Sequence, residues 1–208
     1  MAFTNVPLRR AIPAGISAFL IQYAVVFVLF GSQVSSLLQA KTIELGYGSG
    51  SKSILELIGG SPLPWKMAGW MLHSGHGVNL IVRLSNYGKS TEINLVALAG
   101  GWAQTLYLLP PVVLFVAGYL VARTSRTYGA HGDDYAGASI ALSYGLCYFV
   151  SGFVFMVDAN SARADPNMYT GLYLGCLIYP LAFGWFGGRV ARLRAKSSGE
   201  SAAESACN

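Results

Sequence analysis

Four stretches of the chain carry no formal charge and are long enough to cross a lipid bilayer. They lie between Arg10 and Lys41, Glu92 and Arg123, Asp134 and Asp158, and Asp165 and Arg189. Each contains the roughly 20 apolar residues that a helix needs to cross a hydrocarbon core of about 30 Å. The pattern predicts an all-α integral membrane bundle of four transmembrane helices, at about 12–31, 94–122, 136–157 and 170–188.

A further apolar stretch, 64–83, lies in the long outer loop 32–93 between the first two predicted helices. Its uncharged part would measure about 24 Å as a helix, which is too short to cross the bilayer. At 100° per residue, His73 and His76 fall on one face together with Asn79, and the opposite face is largely apolar. The pattern predicts an interfacial amphipathic helix over the outer end of the bundle.

A re-entrant turn is the competing form of this segment. Gly75 and Gly77 flank His76, and glycine destabilises a helix by about 1 kcal/mol relative to alanine. Irregular backbone is tolerated at membrane depth where protein surrounds it. The sequence therefore leaves open whether 64–83 lies at the interface, re-enters or crosses.

Prolines interrupt two of the predicted transmembrane helices. Pro110 and Pro111 lie within the second, and Pro180 lies within the fourth. Because proline lacks a backbone donor and clashes with the carbonyl four residues earlier, we expect a kink at each position. Both helices also contain the pattern Pro-x6-Gly-x2-Val-Ala-Arg, which fits a duplicated helical hairpin and is also short enough to arise by chance.

Small residues recur at the spacing that lets membrane helices approach closely. Gly137 and Gly145 have this spacing in the third predicted helix, and Gly171 and Gly175 have it in the fourth. Glycine at such positions allows two backbones to pack in van der Waals contact. We therefore expect these four glycines at contacts between helices.

Lysine and arginine residues near the spans predict the orientation, because they are retained on the cytoplasmic side during insertion. Both termini are then cytoplasmic, and residues 1–196 form a single transmembrane domain followed by a flexible cytoplasmic tail, 197–208. The first apolar run is too long for the core of a cleaved signal. Eight of the 14 basic residues lie on the cytoplasmic side: Arg9, Arg10, Arg123, Arg126, Arg189, Arg192, Arg194 and Lys196.

The composition is typical of a protein of the cell membrane, since 53% of the residues are hydrophobic and only 11% are charged. The net charge of +5 then indicates contact with anionic lipid headgroups at the cytoplasmic face. Nucleic-acid binding is not expected, because no basic aromatic surface accompanies the charge. The three cysteines, two of them (Cys147 and Cys176) in predicted spans, indicate no disulfide framework.

His73 and His76 are the candidate metal ligands, because histidines three residues apart can converge on one metal ion. No carboxylate or third histidine is adjacent to them, and His131 is predicted on the opposite side of the membrane. The alternative is a pair of interfacial histidines that bond to headgroups, water or loop backbone.

Motifs for catalysis are missing from the sequence, which contains no phosphate loop, nucleophile elbow, CxxC or HExxH pattern. Asp158 and Asp165 flank Arg163 and are expected to form a local salt-bridge arrangement rather than an acid-base pair. No catalytic residue is therefore assigned, an enzyme is not the favoured interpretation, and no cofactor is expected.

Two stretches carry a resemblance to a known group of proteins. The segment from Trp65 to His76, and LYLLPPVVLFVAGYLVAR at 106–123, resemble uncharacterised polytopic membrane proteins of haloarchaea. Those proteins have about four spans, and some of them carry a transporter label. The resemblance implies a four-span archaeal membrane protein and no defined substrate.

The leading hypothesis is a small transporter-like unit or an accessory membrane subunit. If it transports, we expect a homo-oligomer, because four closely packed helices leave little room for a pathway within one chain. Two alternatives are a membrane protein that binds a metal or haem through outer-face histidines, and a structural or assembly factor with a membrane partner.

Overall fold

The part of the chain that the structure describes forms a helical bundle with two small antiparallel sheets. The computed structural model describes residues 8–44, 50–60, 62–85, 88–125, 132–159 and 162–206. The α-helices are α1 Leu8–Phe30, α2 Gln33–Ala40, α3 Ile54–Leu57, α4 Pro64–Gly75, α5 Leu95–Ala99, α6 Leu109–Thr124, α7 Gly132–Ala138, α8 Ile140–Val154, α9 Met168–Gly171 and α10 Tyr179–Ala206. A 3₁₀ segment covers Gly101–Leu108, and a π segment covers Leu172–Ile178. The strands are β1 Thr42–Glu44, β2 Ser51–Ser53, β3 Leu80–Leu84, β4 Lys89–Ile93, β5 Val157–Asp158 and β6 Ala162–Pro166.

Four helical segments of the described chain are long and apolar enough to cross a membrane: Leu8–Phe30, Gly101–Thr124, Tyr135–Val154 and Met168–Ser197. The prediction of four such helices is confirmed. Their outward positions carry large apolar side chains, such as Val28 and Leu142, which are 80% and 66% exposed. An extensive apolar surface of this kind is unfavourable in water and favourable in lipid.

The last helix extends beyond its predicted end. α10 continues to Ala206, whereas the apolar pattern ended the helix near Gly188 and began a flexible tail at Ser197. Residues 207–208 of that tail lie outside the described residues. The residues that follow the apolar run include alanine, arginine, lysine and glutamate, which favour helix whether or not they are buried. Hydropathy therefore identified the apolar part of this helix but not the residue at which the helix ends.

A four-stranded antiparallel sheet lies where α8 ends and α9 begins, and we call this the sheet end of the bundle. The strand order is β4-β3-β6-β5. Leu80 pairs with Ile93 on one side and with Pro166 on the other. The sheet thus joins the long connection after α1 to the short connection after α8.

Only the first part of the segment 64–83 is helical. α4 ends at Gly75, and Gly77 adopts a φ of 76°, which glycine tolerates without the penalty of a Cβ. The chain then reverses into β3, where buried side chains recur at every second position of Leu80–Leu84. Apolar β-branched residues here form a strand because two neighbouring strands are available to pair with it.

Helix α4 runs antiparallel to α8 and enters the bundle from the sheet end. At its start, Lys66 Nζ donates to the carbonyl oxygen of Met156 over 2.8 Å. One turn later, Trp70 Nε1 donates to the carbonyl oxygen of Phe155, also over 2.8 Å. Both acceptors lie just beyond the last turn of α8, where carbonyl groups have no partner within the helix.

The inner half of α4 contacts α8 progressively deeper in the bundle. His73 lies beside Ser151, and His76 lies beside Tyr144, near the middle of the apolar segment Tyr135–Val154. The 12 residues of α4 measure about 18 Å, which is too short to cross a hydrocarbon layer of about 30 Å. α4 therefore re-enters the bundle, as in the competing form of the sequence prediction.

Burial of α4 differs from the amphipathic prediction. All of residues 67–75 are buried, on the apolar and on the polar face alike. The helix packs against α1, α2 and the α5 and 3₁₀ region, and its two histidines bond to side chains of α8. An interfacial helix with one face in lipid is therefore not what the structure has, because protein surrounds both faces.

The three predicted kink positions lie where the helix type changes. Pro110 and Pro111 are in the first turn of α6 and follow the 3₁₀ segment. Pro180 is the second residue of α10 and follows the π segment. A proline tolerates the first turn of an α-helix, and the turn before it adjusts its bonding to the missing donor. Gly100 and Gly101, with φ of 63° and 51°, separate α5 from the 3₁₀ segment and interrupt the predicted helix 94–122.

Three of the four predicted packing glycines lie at close contacts. A Cβ on Gly137 would collide with the carbonyl oxygen of Gly184, and one on Gly145 would lie 2.6 Å from the carbonyl oxygen of Cys176. A Cβ on Gly175 would enter the ring of Tyr148. Gly171 differs, because its added Cβ would have ordinary contacts of 3.6 Å and longer.

The crossing of α6 and α10 depends on glycines that the spacing argument did not select. A Cβ on Gly118 would collide with the backbone of Gly184, and a Cβ on Gly187 would collide with the carbonyl oxygen of Phe115. Gly118 and Gly187 are the equivalent glycines of the repeated proline pattern. The two copies of the pattern thus pack against each other.

We expect Gly118→Ala to lower the free energy of unfolding by about 1–3 kcal/mol, because two backbones would have to separate. In an uncrowded helix the same change stabilises by up to about 1 kcal/mol, so the sign is diagnostic. Gly171→Ala is the matched control and should be neutral or stabilising. Thermal unfolding of purified protein in detergent measures both variants, and an unchanged or higher melting temperature for Gly118→Ala would contradict the packing described here.

Candidate functional site

Six polar side chains form a buried cluster between α1, α4 and α8. Each is at most 7% exposed, and none carries a formal charge at neutral pH. The cluster consists of Gln22, His73, His76, Tyr144, Tyr148 and Ser151. Burying polar groups is costly unless hydrogen bonds compensate, so the partners of each atom decide what the cluster can do.

His76 uses both of its ring nitrogens. Nδ1 lies 2.9 Å from the carbonyl oxygen of Leu72, and Nε2 lies 2.7 Å from the hydroxyl of Tyr144. A carbonyl oxygen can only accept, so Nδ1 carries a proton. In the neutral imidazole Nε2 then accepts, and the Tyr144 hydroxyl donates to it.

Gln22 completes this chain on α1. Its side-chain amide lies 3.0 Å from the Tyr144 hydroxyl, whose single proton is already donated to His76. The structure places the amide oxygen nearest the hydroxyl, and a half-turn of the amide, which exchanges its oxygen and nitrogen, lets the nitrogen donate to the tyrosine oxygen. In that orientation the amide oxygen takes the position that has no partner in the described part of the chain. The bonds then run in one direction from Gln22 through Tyr144 to His76.

His73 has one paired and one unpaired nitrogen. Nε2 lies 3.0 Å from Ser151 Oγ, and that hydroxyl donates its own proton to the carbonyl oxygen of Tyr148 over 2.7 Å. Ser151 can therefore only accept from His73, which places the imidazole proton on Nε2. Nδ1 is left as a lone pair that is buried and has no hydrogen-bond partner among the described residues.

The Tyr148 ring packs against both histidines. Its centroid lies 4.2 Å from the His73 ring and 4.7 Å from the His76 ring. Its hydroxyl is buried without a partner in the described part of the chain. A small cavity of about 10 Å³, counted as space for the centres of water molecules, lies beside the cluster and holds about one water molecule. It is lined by Tyr148 and His73 together with residues of α9 and the π segment.

Burial keeps both histidines neutral. It lowers the pKa of His73 to about 3, with a further contribution from the neighbouring His76, and it lowers the pKa of His76 to about 4. The desolvated site disfavours the charged imidazole because no carboxylate compensates the charge. The two rings therefore serve as hydrogen-bond donors, acceptors or ligands at neutral pH.

The predicted metal pair is only partly free to bind. His76 is engaged at both nitrogens, and only Nδ1 of His73 is available. No group of three histidine, cysteine or acidic side chains is arranged for a metal within the described residues, and His131 lies outside them. A metal site made of His73 and His76 stays a prediction from the sequence.

An ion-pair group of Arg83, Arg163 and Asp165 lies apart from this cluster, on the sheet. Asp165 is buried and accepts from Arg83 on β3, and Arg163 Nε lies 3.4 Å from the same carboxylate oxygen. Arg83 and Arg163 are also direct neighbours in the register of β3 and β6. The carboxylate thus neutralises part of the charge of two adjacent arginines and links the strands.

Sequence reasoning found two of the six cluster residues as candidate ligands. Gln22 was visible as the polar residue in the middle of the first apolar stretch, but nothing along the chain named its partner. Tyr144, Tyr148 and Ser151 follow one another at spacings of four and three, which place them on one face of a helix. A polar stripe in an otherwise apolar helix is the signal that could have found them.

Comparison with known families finds a match that covers nearly the whole chain. Residues 2–195 match a family of unknown function, DUF7978. The chain belongs to this family. The expected membership of an uncharacterised family is thus confirmed, and the match covers every residue of the buried cluster. Comparison with curated proteins and with solved structures finds no match.

We expect Tyr144→Phe to lower the free energy of unfolding by about 1–3 kcal/mol, because it leaves His76 Nε2 and Gln22 buried without a partner. Tyr148→Phe removes the same atom one turn away and should cost less than about 0.5 kcal/mol or stabilise, since that hydroxyl has no partner. Unfolding of both variants in detergent provides the comparison. Equal losses would show that the network through Tyr144 does not stabilise the fold.

Proposed function

We propose that this family member is a transport unit of the cell membrane in which α4 re-enters the bilayer from the extracytoplasmic side. The observation that carries the proposal is the position of a neutral histidine, His76, and its hydrogen-bonded partner Tyr144 near the middle of the apolar segment Tyr135–Val154, with a second neutral histidine, His73, beside Ser151 nearer the end of that segment. Titratable residues are rare at this depth, and they mark substrate or ion pathways in membrane proteins.

The backbone supports the re-entrant form. The amide groups of His76, Gly77 and Val78 donate to carbonyl oxygens of His73 and Ser74 over 3.0–3.1 Å, so the reversal needs no water. Non-helical backbone occurs at membrane depth only where protein or a polar cavity surrounds it. Broken helices are also the usual way in which transporters place polar groups at mid-membrane, and the second and fourth spans here contain 3₁₀ and π segments.

The orientation in this proposal follows the distribution of basic residues. The sheet end is extracytoplasmic and both termini are cytoplasmic, with α10 presenting Arg189, Arg192 and Arg194 to anionic lipid headgroups. Arg126, another residue of the cytoplasmic set, lies outside the described residues. The resemblance to haloarchaeal four-span proteins supports an archaeal membrane.

The chemistry of the cluster limits the solute. Its donors and acceptors carry no formal charge, so a small neutral polar solute fits better than an ion. The cavity beside it holds about one water, and a wider passage would require a movement of α4 or an interface between copies of the chain. We therefore propose a homo-oligomer as the transporting form.

The small size of this cavity also favours a second candidate, an accessory or assembly subunit without a pathway of its own. In that case the re-entrant helix would fill the bundle and hold its shape. A stable membrane partner should then copurify with the full chain in mild detergent.

The re-entrant topology predicts that both flanks of the segment are accessible from one side. In a cysteine-free background, Leu63→Cys and Ser90→Cys should both react with a membrane-impermeant maleimide from outside intact cells. Ser197→Cys should react only after the membrane is opened. Labelling of Leu63→Cys and Ser90→Cys from opposite sides would mean a fifth crossing and overturn the proposal.

Transport predicts that proteoliposomes containing the protein take up small neutral polar solutes such as glycerol or urea faster than empty liposomes. Tyr144→Phe should slow uptake by about tenfold or more, because it breaks the chain from Gln22 to His76, whereas Tyr148→Phe should not. Stopped-flow light scattering measures the rates. No protein-dependent flux for any solute, together with a copurified partner, would favour the accessory subunit.

A further inference from the structure

The cavity beside the histidine cluster has a lining that the polar network does not use. It lies at the junction of α4, α8, α9 and the π segment, and Tyr148, Phe149 and Asn167 form part of its wall. Three further lining residues, His73, Met168 and Cys176, each carry an atom that can bind a metal through a lone pair.

The hydrogen bonds of His73 fix its tautomer and leave one ring nitrogen able to bind a metal ion. Its Nε2 proton is donated to Ser151, whose proton goes to the carbonyl oxygen of Tyr148. The remaining nitrogen, Nδ1, is a buried lone pair without a partner in the described part of the chain, on a residue that is 2% exposed. Histidine ligands in metalloproteins have this arrangement, since a bond at the second nitrogen fixes the tautomer and the ring.

Two residues that contain sulfur, Met168 and Cys176, line the same cavity. Both Met168 Sδ and the His73 ring face Gly152, where an added Cβ would lie 2.5 Å from the sulfur and 4.0 Å from Cε1 of the imidazole. Cys176 is a free cysteine, 6% exposed, in the π segment. π segments inside α-helical spans occur frequently at functional sites, because the extra residue shifts the side chains along the helix.

We infer that this cavity binds one Cu(I) ion through His73, Met168 and Cys176. Thiolate and thioether are soft ligands that select Cu(I), and imidazole suits copper as well. Among the described residues, no carboxylate lines the cavity. A monovalent ion and one thiolate together carry no net charge, whereas a divalent ion would leave a positive charge in an apolar site.

Binding exchanges a proton for the metal. The S–H bond of Cys176 breaks, a bond from its sulfur to copper forms, and the proton leaves to the solvent. The ion enters already as Cu(I), so no electron is transferred. His76 takes no part, because both of its nitrogens are occupied, and this separates the site from the pair of histidines that the sequence suggested. The inference does not depend on transport, since binding is measured on the purified protein.

The test titrates the full-length protein, purified in detergent without a histidine tag, with Cu(I) under anaerobic conditions against bathocuproine disulfonate. We expect one equivalent to bind. Cys176→Ser, Met168→Leu and His73→Asn should each weaken binding, and Ser151→Ala should weaken it about 10- to 100-fold by releasing the His73 tautomer. Ag(I), which binds the same ligands and is redox-inert, should compete for the site.

Matched controls distinguish this site from other sulfur atoms and from misfolding. Cys147→Ser with Cys207→Ser, and Met156→Leu, should bind Cu(I) as the wild type does. Circular dichroism and a single peak in gel filtration identify folded variants. Absence of one tightly bound equivalent in the wild type would overturn the inference. So would undiminished affinity in folded Cys176→Ser, or an equal loss in the Cys147→Ser and Cys207→Ser control.

Discussion

The insertion of α4 along α8 is the constraint on which the rest of the structure depends. A helix that stops inside a bundle leaves backbone donors and acceptors away from water, and each must find a partner. The side chains of Trp70, His73 and His76 hold the inserted helix in place by bonding to Phe155, just beyond α8, and to Ser151 and Tyr144 of α8. The reversal after His76 satisfies its own amides, and Gly77 supplies the backbone geometry that it needs. The chain can then leave the bundle by the side on which it entered.

The other elements follow from that insertion. Because α4 ends inside the bundle, Tyr144 of α8 bonds to its His76, and Gln22 of α1 bonds to Tyr144 in turn. Because β3 returns to the sheet end, it pairs with β6 and connects the two halves of the chain. α6 and α10 pack closely against each other at Gly118, Gly184 and Gly187.

The interior of the bundle contains uncharged polar groups, whereas the sheet at its end carries charged side chains. The charged residues Arg83, Arg163 and Asp165 lie on the sheet, where water can solvate two of the three side chains. The interior holds groups that need no counter-ion, and its histidines stay uncharged because burial lowers the pKa of each. A site of this kind can accept a neutral molecule. It can also accept a monovalent cation if a thiol loses its proton, because the thiolate then balances the charge of the cation. The proposed transport and the proposed copper site both use this property, at neighbouring positions of one cluster.

The sequence by itself determined the parts of the fold that depend on solvent preference. Charge-free apolar runs predicted the four long helices, and Gly137, Gly145 and Gly175 were expected at contacts because glycine alone permits two backbones to approach so closely. Tertiary structure decided the rest. Whether 76–83 is helix or strand depended on the partners that β4 and β6 offer, and the surroundings of His73 and His76 depended on residues 68 to 78 positions away in the chain. The local pattern of residues shows which side chains avoid water. Hydrogen-bond partners are fixed only when distant segments of the chain meet. The histidines could therefore be named from the sequence, but their tautomers and neighbours could not.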